Sequence, residues 1–85
     1  MKYKKKPIQI EAYQYDGTNL EFLKNWTNNK IFTVINYYGE DIIFITTLEG
    51  NMLVSHNSWI VKGIKNEFYP VNDDIFNLTY EKIES

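Results

Sequence analysis

The chain has no cysteine, no arginine, one histidine, four glycines and two prolines among 85 residues. Without cysteine there is no disulfide scaffold, no Cys-based zinc site and no thiol nucleophile. Without arginine the planar guanidinium that clamps phosphate or reads guanine is missing, which argues against specific nucleic-acid recognition. No apolar run approaches the ~20 residues needed to cross a bilayer. The start, Met1-Lys2-Tyr3-Lys4-Lys5-Lys6-Pro7, is basic like the n-region of a signal peptide, but no apolar h-region follows. A cytosolic protein is therefore expected, and the triplets Asn25-Trp26-Thr27 and Asn77-Leu78-Thr79 read as coincidental glycosylation patterns.

What is present is apolar and aromatic. The hydrophobic fraction is 44%, with 2 Trp, 7 Tyr and 5 Phe. A domain of this length buries only about 60–65% of its unfolded surface, so such side chains must supply the core. No linker, repeat or low-complexity block divides the sequence, and one domain over residues 1–85 is expected, with residues 1–6 as a basic arm. The net charge of −2 hides an asymmetry. Lys2, Lys4, Lys5 and Lys6 crowd the arm, whereas from Pro7 onward five Lys face eleven carboxylates, a formal −6.

Alternation in Ile8-Gln9-Ile10-Glu11-Ala12-Tyr13-Gln14-Tyr15 predicts a half-buried strand, with Pro7 at its first position. Asp16-Gly17 ends it. Thr18-Asn19-Leu20-Glu21 has capping-box form, and Leu20, Leu23 and Trp26 follow at helical spacing until Asn28-Asn29, which tolerate a left-handed backbone. The β-branched and aromatic run Ile31 to Tyr38 predicts a strand that turns at Gly39-Glu40 into Asp41 to Leu48. Ile42-Ile43-Phe44-Ile45 is apolar on both faces, so it belongs in the middle of a sheet. Glu49-Gly50 leads to Met52-Leu53-Val54, Trp59-Ile60-Val61 resumes after His56-Asn57-Ser58, and Lys65-Asn66 turns into Glu67-Phe68-Tyr69, closed by Pro70. Asn72-Asp73-Asp74 is a turn or helix cap, and Leu78 to Ile83 a last strand. The expected class is α+β: one short helix packed on a curled, mostly antiparallel sheet of five to seven short strands, a small roll or open barrel.

Few residues carry chemistry. His56, flanked by Ser55 and Ser58, lies in turn-forming sequence with no metal-ligand spacing and no orienting third group, so neither a metal site nor a hydrolase follows. The pairs Glu40-Asp41 and Asp73-Asp74 put successive carboxylates on opposite faces of a strand; they suit turns and caps, or an acidic recognition surface. Lys62-Gly63-Ile64-Lys65 suggests a glycine turn, or an anion nest formed by Lys62, Gly63 and Lys65, although P-loop spacing is absent. Tyr13 and Tyr15 share one strand face, and Tyr37 and Tyr38 point to opposite faces of another. A domain of this size does not bury every such ring, and exposed tyrosines mark interfaces.

The segment Lys4-Lys5-Lys6-Pro7-Ile8-Gln9-Ile10-Glu11-Ala12-Tyr13-Gln14-Tyr15-Asp16-Gly17 resembles the start of a widespread group of small bacteriophage and prophage proteins. Thr47 to Ser55, Trp59 to Pro70, Asp74-Ile75-Phe76 and Thr79-Tyr80-Glu81 resemble its second half, so the likeness spans nearly the whole chain and is weakest over residues 27–40. Where that group has Pro-Gly-Asp-Tyr this chain has His56-Asn57-Ser58-Trp59, and where it has Cys-Lys-Pro this chain has Val71-Asn72-Asp73. Asn57 supplies the left-handed position that the lost glycine would occupy. The resemblance implies a phage or prophage origin and action in the bacterial cytosol; it brings no catalytic or binding residue with it.

Together these features point to a non-enzymatic phage accessory protein that binds, and inhibits or modulates, a bacterial host or defence protein. Its expected contacts are Tyr13, Tyr15, Tyr37, Tyr38, Glu40 and Asp41, and no cofactor is implied. The alternative is a homo-oligomer that sequesters a nucleotide-like ligand at a subunit interface through Lys62, Gly63 and Lys65. A small cupin-like enzyme is a third reading, opposed by the solitary histidine.

Overall fold

In the computed structural model, residues 1–4 and 8–83 are described. Lys5, Lys6 and Pro7, assigned above to the basic arm and the start of a strand, lie outside the described residues. The elements run β1 (Glu11–Gln14), α1 (Leu20–Trp26), β2 (Ile31–Ile35), β3 (Asp41–Thr47), β4 (Gly50–Leu53), β5 (Trp59–Lys62), β6 (Phe68–Val71) and α2 (Asp73–Thr79). The α+β class holds, and six strands fall within the expected range. They do not form one curled sheet. Two antiparallel three-stranded sheets, ordered β1-β5-β6 and β2-β3-β4, pack on each other.

Register explains which side chains meet. In β2-β3-β4, Ile31 pairs with Ile45 and Ile45 with Met52, so this row faces inward with Ile43 and Val54. Ile31, Ile45 and Val54 are buried together with Leu23 of α1, Ile60 of β5 and Phe68 of β6. Trp26 extends this core, meeting Phe68 edge-on at 5.1 Å and Tyr13 at 4.8 Å. β5 is buried on both faces, because Ile60 looks toward α1 and the second sheet while Val61 looks the other way. That other face is covered by α2, whose Phe76 stacks on Trp59 at 4.1 Å with the rings 6° apart.

Four local expectations are corrected. Thr18 does not cap α1: the N-cap is Asn19 and makes no side-chain cap bond, because the Thr18 hydroxyl donates instead to Asp16 Oδ1 at 2.7 Å. Glu21 turns away from the N-terminus toward Lys24, 3.8 Å distant. The second strand ends at Ile35, and Tyr37 and Tyr38 lie in the following turn, because Asn36 Oδ1 accepts the amides of both Tyr38 and Glu40 at 2.9 Å and folds the chain there. Residues 73–79 form a second helix and residues 80–83 no strand, where a strand was expected from Leu78 to Ile83; Phe76 stacks on Trp59 from within the helix and meets Tyr80, its extended C-cap, at 4.9 Å, and these ring contacts outweigh local β propensity.

Pro70 sits inside β6 and does not close it. β6 is an edge strand, and the alternation set by the Gly63 amide donating to the Glu67 carbonyl directs the Pro70 nitrogen outward, where no donor is needed. Left-handed backbone occurs at Asn28, Asn29, Asn57 and Asn66, with φ of 57°, 62°, 69° and 61°. The helix stop and two of the predicted turns therefore form where the asparagines placed them.

Candidate functional site

β3 is central in its sheet, as its doubly apolar sequence predicted, but only one of its faces is covered. Pairing places Phe32 opposite Phe44, Val34 opposite Ile42 and Leu53 opposite Phe44, all on the face turned away from the core. Phe32 and Phe44 stack at 5.7 Å and shield each other partly. Val34 and Leu53 are 44% and 56% exposed. No helix or strand lies over this face among the described residues; α2 covers the other sheet. A half-covered antiparallel sheet ordinarily turns polar side chains to water. Here only Thr46 and Asn51 do so, joined by a hydrogen bond of 3.0 Å.

The hairpin tip extends this apolar surface. Ile35 is 69% exposed, and Tyr37 and Tyr38 stand almost free at 95% and 81%. The turn beneath them is rigid: Asn36 donates its amide to the Glu40 carbonyl at 2.9 Å and accepts from Gly39 at 3.1 Å. The two rings brace one another edge-on at 5.4 Å. Glu40 and Asp41, both exposed, follow directly, and Asp41 pairs with Ile35 across the hairpin. Four of the six residues expected to contact a partner thus share one end of one hairpin.

Tyr13 and Tyr15 are placed elsewhere. The Tyr13 ring packs edge-on against Phe22 and Trp26, each at 4.8 Å, and supports the α1 contact. Tyr15 is half-buried against the core, its amide donating to the Ser58 carbonyl at 2.8 Å. It also lines an open cleft of about 260 Å³ with Asp41, Ile43, Leu53, Ser55 and His56. The cleft opens where the chain leaves β3 after Val54, whose amide donates to the Ile43 carbonyl at 2.8 Å, so that among the described residues Asp41 and Ile42 have no partner on the β4 side. Tyr15 and Asp41 are therefore brought together at the end of the sheet, while Tyr13 is separate.

The cleft gathers hydroxyls, an imidazole and a carboxylate without joining them. His56 contacts the Tyr15 ring at 6.0 Å and lies against Gly17, and among the described residues it makes no hydrogen bond to Ser55, Ser58 or a carboxylate. No group of three His, Asp or Glu side chains converges as metal ligands among the described residues. A second cleft, about 290 Å³, runs between the β3–β4 turn and β6 and is lined by Leu48, Met52, Phe68, Tyr69 and Pro70 among others. Burial, with Tyr80 and Glu67 nearby, pushes the Tyr69 hydroxyl up to about 12.

The Lys62-Gly63-Lys65 turn is filled by the chain itself. Glu67 Oε2 accepts the Lys65 amide at 2.9 Å, and the Glu67 carboxylate occupies the space a side chain at Gly63 would need. The Lys65 amide is thus turned to an internal carboxylate and the Gly63 amide to the Glu67 backbone carbonyl, so neither is left for a phosphate. Asp16 forms a similar closed turn, and its bonds from the Thr18 hydroxyl and amide hold its carboxyl below the usual range.

The open face was only half legible. Apolar residues at 32, 34, 42 and 44 repeat with period two on both strands, but the same pattern describes a face buried by a second layer. Asp73 was missed as an anchor: its Oδ1 accepts from Trp59 Nε1 at 2.8 Å, Asn77 Nδ2 at 3.1 Å and Gln14 Nε2 at 3.2 Å, tying α2 to the β1-β5-β6 sheet. No family model matches the chain, and neither a curated protein nor a solved structure does, so its resemblance to small phage proteins rests on the quoted segments alone.

Proposed function

We propose that this is a binding protein of phage or prophage origin that docks on a bacterial host or defence protein and alters its activity. The observation that carries the reading is the uncovered apolar face of β2-β3-β4, continuous with the Tyr37–Tyr38 tip and bordered by Glu40 and Asp41. Stacked phenylalanines offer a firm apolar platform, and two rigid tyrosines offer large contact area at small entropic cost. The carboxylates at the rim select a partner with a basic border around an apolar patch. The alternative of a nucleotide-like ligand at Lys62 and Lys65 is disfavoured by the Glu67 carboxylate in that turn.

The test is capture from bacterial lysate with the wild-type chain and with Val34→Lys and Tyr37→Ala variants whose fold is verified by circular dichroism. A host protein retained by the wild type and lost by both variants supports the reading. A chain that retains nothing specific, or retains the same protein in all three forms, defeats it.

A further inference from the structure

The four sheet edges of this molecule are not alike. β6 carries Pro70, whose ring blocks its free side. β1 begins with charged Glu11, and the Asn19 side chain donates to its Gln14 carbonyl at 2.7 Å. β4 is four residues long and faces β6 across the larger cleft. Each of these carries a feature that limits pairing with another chain.

β2 has no such protection. Its sequence, Ile31-Phe32-Thr33-Val34-Ile35, contains no charge, proline or glycine, and it is hydrogen-bonded on one side only. The pairing of Asn36 with Glu40 and of Lys30 with Thr46 fixes the alternation. Phe32 and Val34 bond to β3, so the amides and carbonyls of Ile31, Thr33 and Ile35 point to the free side. Among the described residues, no backbone hydrogen bond from another element meets Thr33 or Ile35.

We infer that this edge pairs with the β2 edge of a second copy, antiparallel and centred on Thr33. Antiparallel pairing about a two-fold axis is self-complementary, so one strand serves as both halves of the interface. The composition of the edge favours that partner, since an uncharged apolar strand meets an identical one with no charge to bury. Lys30 flanks the paired segment with its ammonium held 5.7 Å from the centroid of its own chain's Phe68 ring, so it sets no like charge against the second copy. The exposed Ile35 falls opposite Ile31 of the second copy, on the inner face, and Val34 falls opposite Phe32 on the outer face. The result is a six-stranded sheet whose apolar outer face is doubled. This pairing does not rest on the host-protein reading, since the outer face of each chain exists with or without it.

Thr33→Cys tests the geometry, because the chain has no other cysteine. Opposed residues in an antiparallel hydrogen-bonded pair lie about 5.5 Å apart at Cα, within disulfide range. Mild oxidation should convert this variant to a covalent dimer, while Thr46→Cys on the outer face should stay monomeric. Light scattering should give the wild type twice the chain mass as concentration rises. Thr33→Pro, which removes only an outward amide, and Ile35→Lys, at an exposed position, should each give a folded chain of single mass. A wild type that stays monomeric throughout overturns the inference. So does a dimer that survives both edge variants, or one that Thr46→Cys cross-links as readily as Thr33→Cys.

Discussion

The two sheets share a strand number, an antiparallel pairing and a common core, yet one is finished and the other is not. β1-β5-β6 lies between α2 on one side and α1 with the second sheet on the other, so Ile60 and Val61 are both fully buried. β2-β3-β4 has the same alternation of apolar side chains but no third layer, and Val34 and Leu53 remain in water. At ~25 cal/mol per Å² of apolar surface, leaving such a face open forgoes several kcal/mol of burial that a small domain could use. The difference is one of layers: both sheets supply the shared core, but only β1-β5-β6 is covered on its second face, and β2-β3-β4 leaves apolar area in water.

Substitutions on the two sheets should therefore diverge, most sharply at the junction. Ile60→Ala opens a cavity where both layers meet and is expected to cost about 2–5 kcal/mol in denaturant unfolding, enough to leave the domain marginal. Next in size is Asp73→Ala, which leaves the Trp59 indole and the Asn77 amide without their acceptor, while Gln14 keeps its bond to the Asn57 carbonyl. We expect a loss of about 1–2 kcal/mol, accompanied by a shift in Trp59 fluorescence as α2 loosens. If the unfolding midpoint moves without that spectral change, Asp73 is not the anchor of the third layer.

On the open sheet, Val34→Thr and Leu53→Ser should change stability by no more than about 0.5 kcal/mol, while reducing retention of any partner held by that face. A cost near that of Ile60→Ala would mean the face is not free, and would erase the contrast between the sheets. The smallest effect concerns alkaline pH. Because Tyr69 is raised to about 12, the folded state holds that proton more tightly than the unfolded chain, whose tyrosine titrates near 10. Its contribution is therefore complete below pH ~10 and lost as pH rises toward 12. Tyr69→Phe should remove that part of the alkaline decline, measured as the pH dependence of the melting temperature.

Local rules recovered most of the strands and the first helix, since they depend on short-range pattern. Asn28, Asn57 and Asn66 marked turns through their tolerance of left-handed backbone, and Ile42–Ile45 marked a central strand. Where the rules failed, a longer-range partner decided. Asp16 took the hydroxyl meant for the helix cap, and Trp59 stacks on Phe76 within α2, a contact that no window around Leu78 could foresee. The candidate surface divided in the same way. The exposure of Tyr37, Tyr38, Glu40 and Asp41 around the Gly39-Glu40 turn was legible because a hairpin end is a local object, although the strand expected to hold both tyrosines stops at Ile35. The bare sheet face was not, because an apolar strand face is identical in sequence whether or not something comes to cover it.

The left-handed asparagines also limit how this sequence can drift over generations. Each of the four sits where a β-carbon is disfavoured by about 1–2 kcal/mol, and asparagine is tolerated there because its short amide can bond locally. Replacement by glycine would be accepted, whereas valine or isoleucine, with branched β-carbons, would not. Relatives of this chain should thus vary freely along the open face and the charged rim, where packing constrains them least, while keeping asparagine, aspartate or glycine at positions 28, 29, 57 and 66. A family alignment built on those four punctuation marks would hold its register even after the exposed surface between them had been rewritten.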